Sequence, residues 1–266
     1  MKKIILILFY FILSFSAPVW AQIFTEQGKI VHQVAPGQTI SGSLMIHNTS
    51  NQSIPVKDYW EDFRYEPPFN GSKKFFPPGT LDASLSRWIS FLPKQFTLAP
   101  YGKQKINYTI NVPAEAKGGY YGVLFFEPES QNTKTSTGIR IITRVGSLFF
   151  LETSNKVKKA GIDNIKLKDS NVQAELTNKG NVILIPTGTF YIMNSANLVV
   201  DRGEIPALYL PSSQKGNFQF DFKKDLPEGQ YTIVLTLDLQ EGDVLVKEVD
   251  FEKHPPADYK IIKIRD

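Results

Sequence analysis

The most restrictive feature of this sequence is an apolar pattern with a period of two residues, which recurs along the chain. The pattern, mixed with short unbroken apolar runs, covers TISGSLMIHN (39–48), KINYTINV (105–112), IRIITRVGSLFFLE (139–152), NFQFDF (217–222) and YTIVLTLDL (231–239). A period of two places alternate side chains on one face of a β-strand. Turn sequences such as APGQ, LAPYGK and LQEGD separate these segments. Short strands joined by frequent turns are typical of β-sandwiches, so the sequence predicts an all-β protein.

The same order of segments occurs twice, which predicts two domains of one fold. The first half ends in PAEAKGGYYGVLFF (113–126) and the second in PEGQYTIVLTL (227–237). Aligning the halves pairs Asn48 with Asn178, Pro113 with Pro227, and Tyr121 with Tyr231. A tyrosine two residues after a glycine, at the start of a strand, resembles the tyrosine corner of immunoglobulin-like sandwiches, whose hydroxyl bonds to upstream backbone. The alternative is that both tyrosines are ordinary strand aromatics. We therefore predict two tandem immunoglobulin-like β-sandwich domains, each with its own tyrosine corner.

The first 21 residues predict a cleaved secretory signal peptide. Lys2 and Lys3 precede an apolar stretch (4–15), and VWA before Gln22 resembles a small-residue cleavage site. An uncleaved anchor is the alternative, but the apolar stretch is shorter than the roughly 20 residues that span a bilayer. From Gln22 onward there are 28 basic and 26 acidic residues. This balance lacks the basic excess of nucleic-acid-binding proteins, so we expect an exported protein without nucleic-acid partners or stable membrane insertion.

The residue composition argues against catalysis, cofactors and metal sites. The chain contains no cysteine, which excludes thiol nucleophiles, disulfides and cysteine-ligated metals. Its three histidines, His32, His47 and His254, follow neither a metal-ligand spacing nor a motif of Ser-His-Asp hydrolases. The acidic clusters do not match a calcium-binding loop. We therefore predict a non-enzymatic protein without a cofactor or a metal ion.

Domain boundaries follow from the polar, lysine-rich segment TSNKVKKAGID (153–163), which has the composition of a linker. We place the N-terminal domain at 22–153, the C-terminal domain at 162–253, and a C-terminal tail at 254–266. Pro255 and Pro256 end the last predicted strand, although YKIIKI (259–264) could add an edge strand.

One segment of the first half, residues 61–88, has no counterpart in the second half. It carries several aromatic residues among prolines: Phe63, Tyr65, Phe69, Phe75 and Phe76. Disordered segments are poor in aromatic residues, and long ordered loops are often functional. We expect an ordered loop, too long for a hairpin, that either packs on its own domain or contacts a partner. In the second case Tyr65, Phe69, Phe75 and Phe76 form a secondary binding loop.

Three segments resemble the periplasmic pilus-assembly chaperones of the chaperone–usher type. These are IHNTSNQSIPVKDYWED (46–62), FTLAPYGKQKINYTI (96–110) and IRIITRVGSLFFLE (139–152). The resemblance covers most of residues 25–152 and, more loosely, the second half. WISFLPKQFTLAP (88–100) and GGYYGVLFFE (118–127) are also similar to surface proteins associated with WxL-type cell-wall proteins.

The resemblance implies two sandwiches at an angle and a non-enzymatic mechanism. In that family, the last strand of the first domain lends its alternating apolar residues to an incomplete pilin, a form of strand addition. The corresponding residues here are Ile139, Ile141, Thr143 and Val145, or on the other face Arg140, Ile142 and Arg144. The family also holds the pilin's terminal carboxylate with an arginine and a lysine in the cleft. This chain has Ser147 where that lysine is expected, and Lys29 and Arg144 are substitutes that lie off the motif.

The leading hypothesis is an exported, periplasmic chaperone that binds subunits of a pilus or other surface structure along residues 139–150. Its expected partner-binding residues are Ile139, Ile141, Ile142, Arg144, Val145 and Lys29. The alternative hypothesis is a secreted or cell-surface adhesion or scaffold module, which binds a wall polymer or protein through the loop at 61–88.

Overall fold

The computed structural model describes residues 22–129, 143–223, 226–255 and 258–266. The predicted signal peptide therefore lies outside the described residues, as do Ile139, Ile141 and Ile142. Regular structure in the described ranges consists of β-strands. None of these ranges contains a helix with the length and apolar character needed to cross a membrane.

In the described ranges 22–129 and 143–153, the first sandwich contains ten strands. They are β1 (Ile23–Thr25), β2 (Lys29–Val34), β3 (Thr39–Asn48), β4 (Ile54–Tyr65), β5 (Lys73–Phe76), β6 (Ile89–Leu92), β7 (Gln95–Leu98), β8 (Lys103–Asn111), β9 (Gly119–Pro128) and β10 (Val145–Thr153). One sheet has the order β1-β3-β8-β6, and the other has the order β2-β10-β9-β4-β5, with β7 also pairing with β4. Ile46, Ile106, Leu124 and Phe149 are fully buried in the core that the sheets enclose.

The second sandwich, as far as its residues are described, contains eight strands. They are β11 (Ala160–Lys168), β12 (Asn171–Asn178), β13 (Thr187–Asn194), β14 (Val199–Ile205), β15 (Lys215–Asp221), β16 (Gly229–Asp238), β17 (Val244–His254) and β18 (Asp258–Arg265). The sheets have the orders β11-β12-β15 and β14-β13-β16-β17-β18. The predicted all-β fold with two sandwiches is confirmed.

Asn48 and Asn178, which the sequence comparison paired, make equivalent contacts in their domains. The Asn48 amide donates to the carbonyl of Gln52 at 2.6 Å, and its oxygen accepts the N–H of Ser50 at 2.8 Å. The Asn178 amide donates to the carbonyl of Val182 at 2.8 Å, and its oxygen accepts the N–H of Gly180 at 2.9 Å. Both side chains are buried. A buried amide that pairs with a turn's backbone satisfies groups that would otherwise destabilise the fold.

The tyrosine-corner prediction is confirmed in the second domain and was wrong by one residue in the first. The Tyr231 hydroxyl donates to the carbonyl of Pro227 at 2.8 Å. In the first domain, it is the Tyr120 hydroxyl that accepts the upstream N–H of Lys117, at 3.2 Å. Tyr121 points to the opposite face of β9, and its hydroxyl accepts the N–H of Ile183 in the second domain at 2.8 Å. Because adjacent strand residues face opposite ways, a shift of one position changes the role completely.

The predicted C-terminal tail is part of the second sandwich. β18 pairs antiparallel with β17 and forms the edge of the five-stranded sheet. Tyr259 is buried, with its ring 5.7 Å from the ring of Phe222. The edge strand considered for YKIIKI is therefore present. At the other boundary, β11 begins at Ala160, two residues before the predicted start of the domain.

Candidate functional site

β10 has neighbouring strands on both sides over only part of its length. It pairs with β9 from Val145 to Glu152, but with β2 only from Leu148 to Thr153. On the β2 side, the N–H of Leu148 donates to the carbonyl of Gly28 at 2.9 Å. Backbone groups of alternate strand residues point to the same side. Those of Gly146 therefore point to the β2 side of β10, but at a position beyond the end of the β2 pairing. Among the described residues, Val145–Ser147 therefore form an open edge of this sheet.

Within the predicted binding segment at 139–150, this geometry bears on residues 148–150, and binding along the rest stays a prediction. Leu148, Phe149 and Phe150 are paired with β2 and β9 at once, so no partner strand can add there without displacing β2. Of the predicted binding residues, Val145 begins the open edge and Arg144 immediately precedes it. Val145 packs against the first-domain core, whereas Arg144 contacts residues on the outer face.

Ser147 does not occupy a cleft position, contrary to the expectation that it replaces a cleft lysine. Its side chain is fully buried, and its hydroxyl donates to the carbonyl of Gln27 at 2.6 Å. A lysine there would bury an ammonium ion in the sandwich, which is costly without a partner. The neighbouring outward positions are the apolar Leu148 and Phe150.

Lys29 and Arg144, the two proposed substitutes, lie apart on the same sheet. The Lys29 ammonium is 4.6 Å from the centre of the Phe150 ring, and Lys29 pairs in register with Leu148. Arg144 lies four residues before Leu148, which is roughly 13 Å along a strand. The two cations therefore cannot hold one carboxylate together in this arrangement.

Arg144 lies in a cluster of aromatic and acidic side chains on the outer face of the first domain. Its guanidinium carbon is 3.7 Å from the centre of the Phe125 ring and 5.4 Å from that of Phe75. One guanidinium nitrogen donates to the Tyr59 hydroxyl at 2.9 Å and to the Glu61 carboxylate at 2.8 Å. Burial opposes the charge of Arg144, but these hydrogen bonds and charges outweigh it and raise its pKa. The structure thus joins Arg144 to Phe75, two residues that the sequence assigned to separate sites.

Residues 62–76 of the segment at 61–88 form a hairpin, so the prediction of one long loop was wrong for this part, and the remainder packs on its own domain as one of the two expected outcomes. β5 pairs antiparallel with β4, with Asp62 opposite Phe76 at one end and Tyr65 opposite Lys73 at the other. The chain after β5 folds back on its own domain, where the buried Asp62 carboxylate accepts the hydroxyl of Ser84 at 2.6 Å. Sequence patterns missed this hairpin because its second strand contains only four residues.

The hairpin tip, residues 66–72, packs on the second domain. Phe69 is buried, and its carbonyl accepts the N–H of Tyr209 at 2.8 Å. The Tyr65 ring is also buried, with its centre 4.8 Å from that of Tyr209. Tyr65 and Phe69 are therefore removed from the accessible surface, because they belong to a cluster that spans both domains. Phe75, with 37% of its surface exposed, and the half-buried Phe76 remain accessible.

Asp58 is a buried carboxylate in the interior of the first sandwich. It lies on β4 opposite Phe126, and no other residue in the described ranges donates a hydrogen bond to its carboxylate. Burial raises its pKa to about 7, although the N–H of its own backbone and the charge of Lys94 act in the opposite direction. Nothing in the sequence pattern marked this residue, since it occupies an inward position of a strand that alternates regularly. Within the described ranges, no three histidine, aspartate or glutamate side chains are grouped to hold a metal ion.

Comparison with known proteins gives matches in structure only, since no family model and no curated protein matches the sequence. A chain from the structure of a chaperone–tip adhesin complex of CFA/I fimbriae biogenesis is 13% identical, with a TM-score of 0.50 over 85% of this chain and 97% of that chain. The class 5 fimbriae chaperone CfaA is 14% identical, with a TM-score of 0.49 over 84% and 97%. A chain from the Salmonella enterica SafA pilin complex with the SafB chaperone is 9% identical, with a TM-score of 0.47 over 92% and 99%. The described chain therefore has the two-domain, immunoglobulin-like fold of the fimbrial chaperones.

Proposed function

We propose that this protein is an exported, non-enzymatic chaperone that binds subunits of a pilus or other surface structure by strand addition. The observation that carries this proposal is the open edge of β10 at Val145–Ser147, in a fold shared with fimbrial chaperones. An exposed strand edge offers unpaired N–H and C=O groups to an incoming strand. Main-chain hydrogen bonds then supply affinity, and alternate side-chain positions supply specificity.

Five further assignments belong to this proposal. Ile139, Ile141 and Ile142 precede the open edge in the chain and are proposed as apolar contacts with the subunit. Lys29 is proposed to contribute positive charge beside β10, where its side chain is exposed to solvent. The sequence of residues 1–21 supports export, and we assign the protein to the periplasm, with secretion or display at the cell surface as the alternatives.

A cross-linking experiment tests the location of subunit binding. Because the chain has no cysteine, Thr143→Cys, at an exposed position just before the open edge, provides a single attachment point for a photoreactive group. The labelled protein is incubated with envelope proteins extracted from its native host and irradiated, and adducts are identified by mass spectrometry. We expect a covalent adduct with a pilus or surface subunit.

The matched control is Leu198→Cys, since Leu198 is 63% exposed and lies in the second domain, away from β10. This variant should give no adduct with the same subunit. Equal adducts from both positions, or none from Thr143→Cys when the subunits are present, would contradict binding at this edge.

A second candidate function, adhesion through the β4–β5 hairpin, is favoured by the accessible aromatic pair at its surface. Phe76 lies 5.4 Å from the guanidinium carbon of Arg64, and Phe75 contacts Arg144. Rings and cations of this kind are common in binding surfaces. This candidate now depends on Phe75 and Phe76 alone, because Tyr65 and Phe69 are buried.

Two sets of variants separate the functions. If β10 donates its edge, Ile141→Arg or Ile142→Arg should abolish co-purification of a surface subunit, because each places a charge in an apolar contact. The double variant Phe75→Ala/Phe76→Ala should retain the subunit. The reverse result, measured by affinity purification and immunoblotting, would establish binding through the hairpin and reject strand addition.

A further inference from the structure

Among the described residues, no strand pairs with the first residues of β10 on the side away from β9, so side-chain contacts become important for holding them against β9. Val145, Gly146 and Ser147 pair in register with Phe126, Phe125 and Leu124 of β9. Support from β2 begins only at Leu148. Strand ends with few neighbours open locally at low free-energy cost, which would blur the register of any strand added there.

Arg144 immediately precedes these residues, and its side chain lies over strands on the opposite side of β9. It stacks on Phe125 of β9, reaches Tyr59 and Glu61 of β4, and contacts Phe75 of β5. A planar guanidinium can stack on a ring while donating hydrogen bonds in its own plane, which an ammonium ion cannot do. One side chain therefore ties the start of β10 to three other strands.

The partners of Arg144 are themselves held in place. The Tyr59 hydroxyl donates to the Glu127 carboxylate at 2.7 Å, and Glu127 forms an ion pair with Lys57 at 3.3 Å. The other carboxylate oxygen of Glu61 is buried and has no hydrogen-bond partner in the part of the chain that the structure describes. Loss of the arginine would thus leave a largely buried carboxylate without its counter-charge, which makes the contact difficult to give up.

Gly146 completes the arrangement on the same face. A Cβ atom at Gly146 would lie 2.8 Å from a methyl carbon of Val123 and 2.9 Å from ring carbons of Phe125. The Phe125 ring therefore occupies the space above Gly146. The same ring also contacts the guanidinium group of Arg144. The side-chain contacts lie on the outer face, so the backbone edge of Gly146 stays open.

We infer that Arg144 is a positioning residue that keeps the open edge of β10 in register on β9, ready for a partner strand. The effect of Arg144 on subunit binding rests on the proposed function. Its role in ordering the edge of β10 does not. Pre-ordering the edge raises the fraction of molecules that are competent to bind, and the apparent dissociation constant falls by the same factor.

The test compares Arg144→Met with Arg144→Lys and Arg64→Met. Methionine keeps the apolar stem and removes the charge, whereas lysine keeps the charge without the planar fork. Arg64 is a matched control, since it also lies over a ring, that of Phe76, and pairs with an acid, Glu66 at 3.3 Å, away from β10. Amide hydrogen exchange is measured without any subunit at Val145 and Ser147, which face β9, and at Phe149 as an internal control.

We expect Arg144→Met to speed amide exchange at Val145 and Ser147 by about tenfold. This is the change in the opening equilibrium that corresponds to the loss of one charge-assisted contact. Exchange at Phe149 should not change, Arg144→Lys should give a partial effect, and Arg64→Met should behave like the wild type. The subunit recovered by cross-linking should bind Arg144→Met with a similarly weakened dissociation constant.

The possible failures are distinct. Unchanged exchange at Val145 and Ser147 in Arg144→Met overturns the positioning role. Faster exchange with unchanged affinity for the subunit overturns its link to binding. Failure of the wild-type protein to capture any subunit overturns the proposed function instead, while the exchange measurement still decides whether Arg144 orders the edge.

Discussion

Phe69→Ala is expected to destabilise the protein by about 3 to 5 kcal/mol, the cost of removing a buried phenylalanine ring from a packed core. The ring is 5% exposed and lies over Gly216 of the second domain, where a Cβ atom would be 3.1 Å from a ring carbon. Leu208 and Leu210 belong to the same cluster. The cavity left by alanine would lie between the domains, so their contact should weaken together with overall stability. Urea denaturation, followed by near-ultraviolet circular dichroism, measures the free-energy change.

Phe75→Ala is the matched control, because Phe75 comes from the same hairpin but is 37% exposed. It should cost less than about 1.5 kcal/mol, since less apolar surface is lost from the interior. Equal destabilisation by the two variants would show that the hairpin tip does not pack on the second domain as described. Unfolding in two separate transitions for Phe69→Ala, where the wild type shows one, would further indicate loss of domain coupling.

Asp58 is expected to make the stability of the first domain fall as pH rises from about 4 to about 7. Its pKa in the folded protein is raised to about 7 from the ordinary value of 3.8. The folded state therefore holds a proton that the unfolded state releases, and this stabilising effect is complete below the unfolded pKa. It is lost as pH rises through the folded pKa. The difference between the two pKa values corresponds to at most about 4 kcal/mol.

Asp58→Asn replaces the titrating group by a neutral one of similar shape. Relative to the wild type, we expect its unfolding free energy to rise by about 2 to 3 kcal/mol between pH 5 and pH 8, because only the wild type must bury a charge at the higher pH. Denaturant titrations at several pH values measure this difference. Asp82→Asn, at an exposed position of the same domain, should follow the wild type at every pH. A stability gain from Asp58→Asn that does not depend on pH would contradict ionisation of Asp58 as the cause.

The parts of the site that could be predicted from sequence are those encoded by local patterns. Arg144 and Val145 were assigned to binding from the resemblance of residues 139–152 to a chaperone strand, and that role stays a prediction. Val145 begins the open edge of β10, and Arg144 immediately precedes it. The sequence could not predict that Leu148–Phe150 are closed to a partner strand. The strand that pairs with them, β2, lies more than 100 residues earlier in the chain. The burial of Asp58 and the contact of Phe69 with Tyr209 were missed for the same reason. Local sequence shows that a residue faces inward or lies in a loop, but it does not show which distant residues surround it.

The sequence by itself determined that this protein consists of two β-sandwiches built on one plan. A period of two residues, turn signals and paired asparagines are local features, and a strand needs only its own alternation to show which residues share a face. Only the tertiary structure decided three other features. These are the choice between Tyr120 and Tyr121, the hairpin that reaches the second domain, and the open edge of β10. Each depends on pairing between segments distant in sequence, and the backbone groups that make such pairs are the same in every residue except proline.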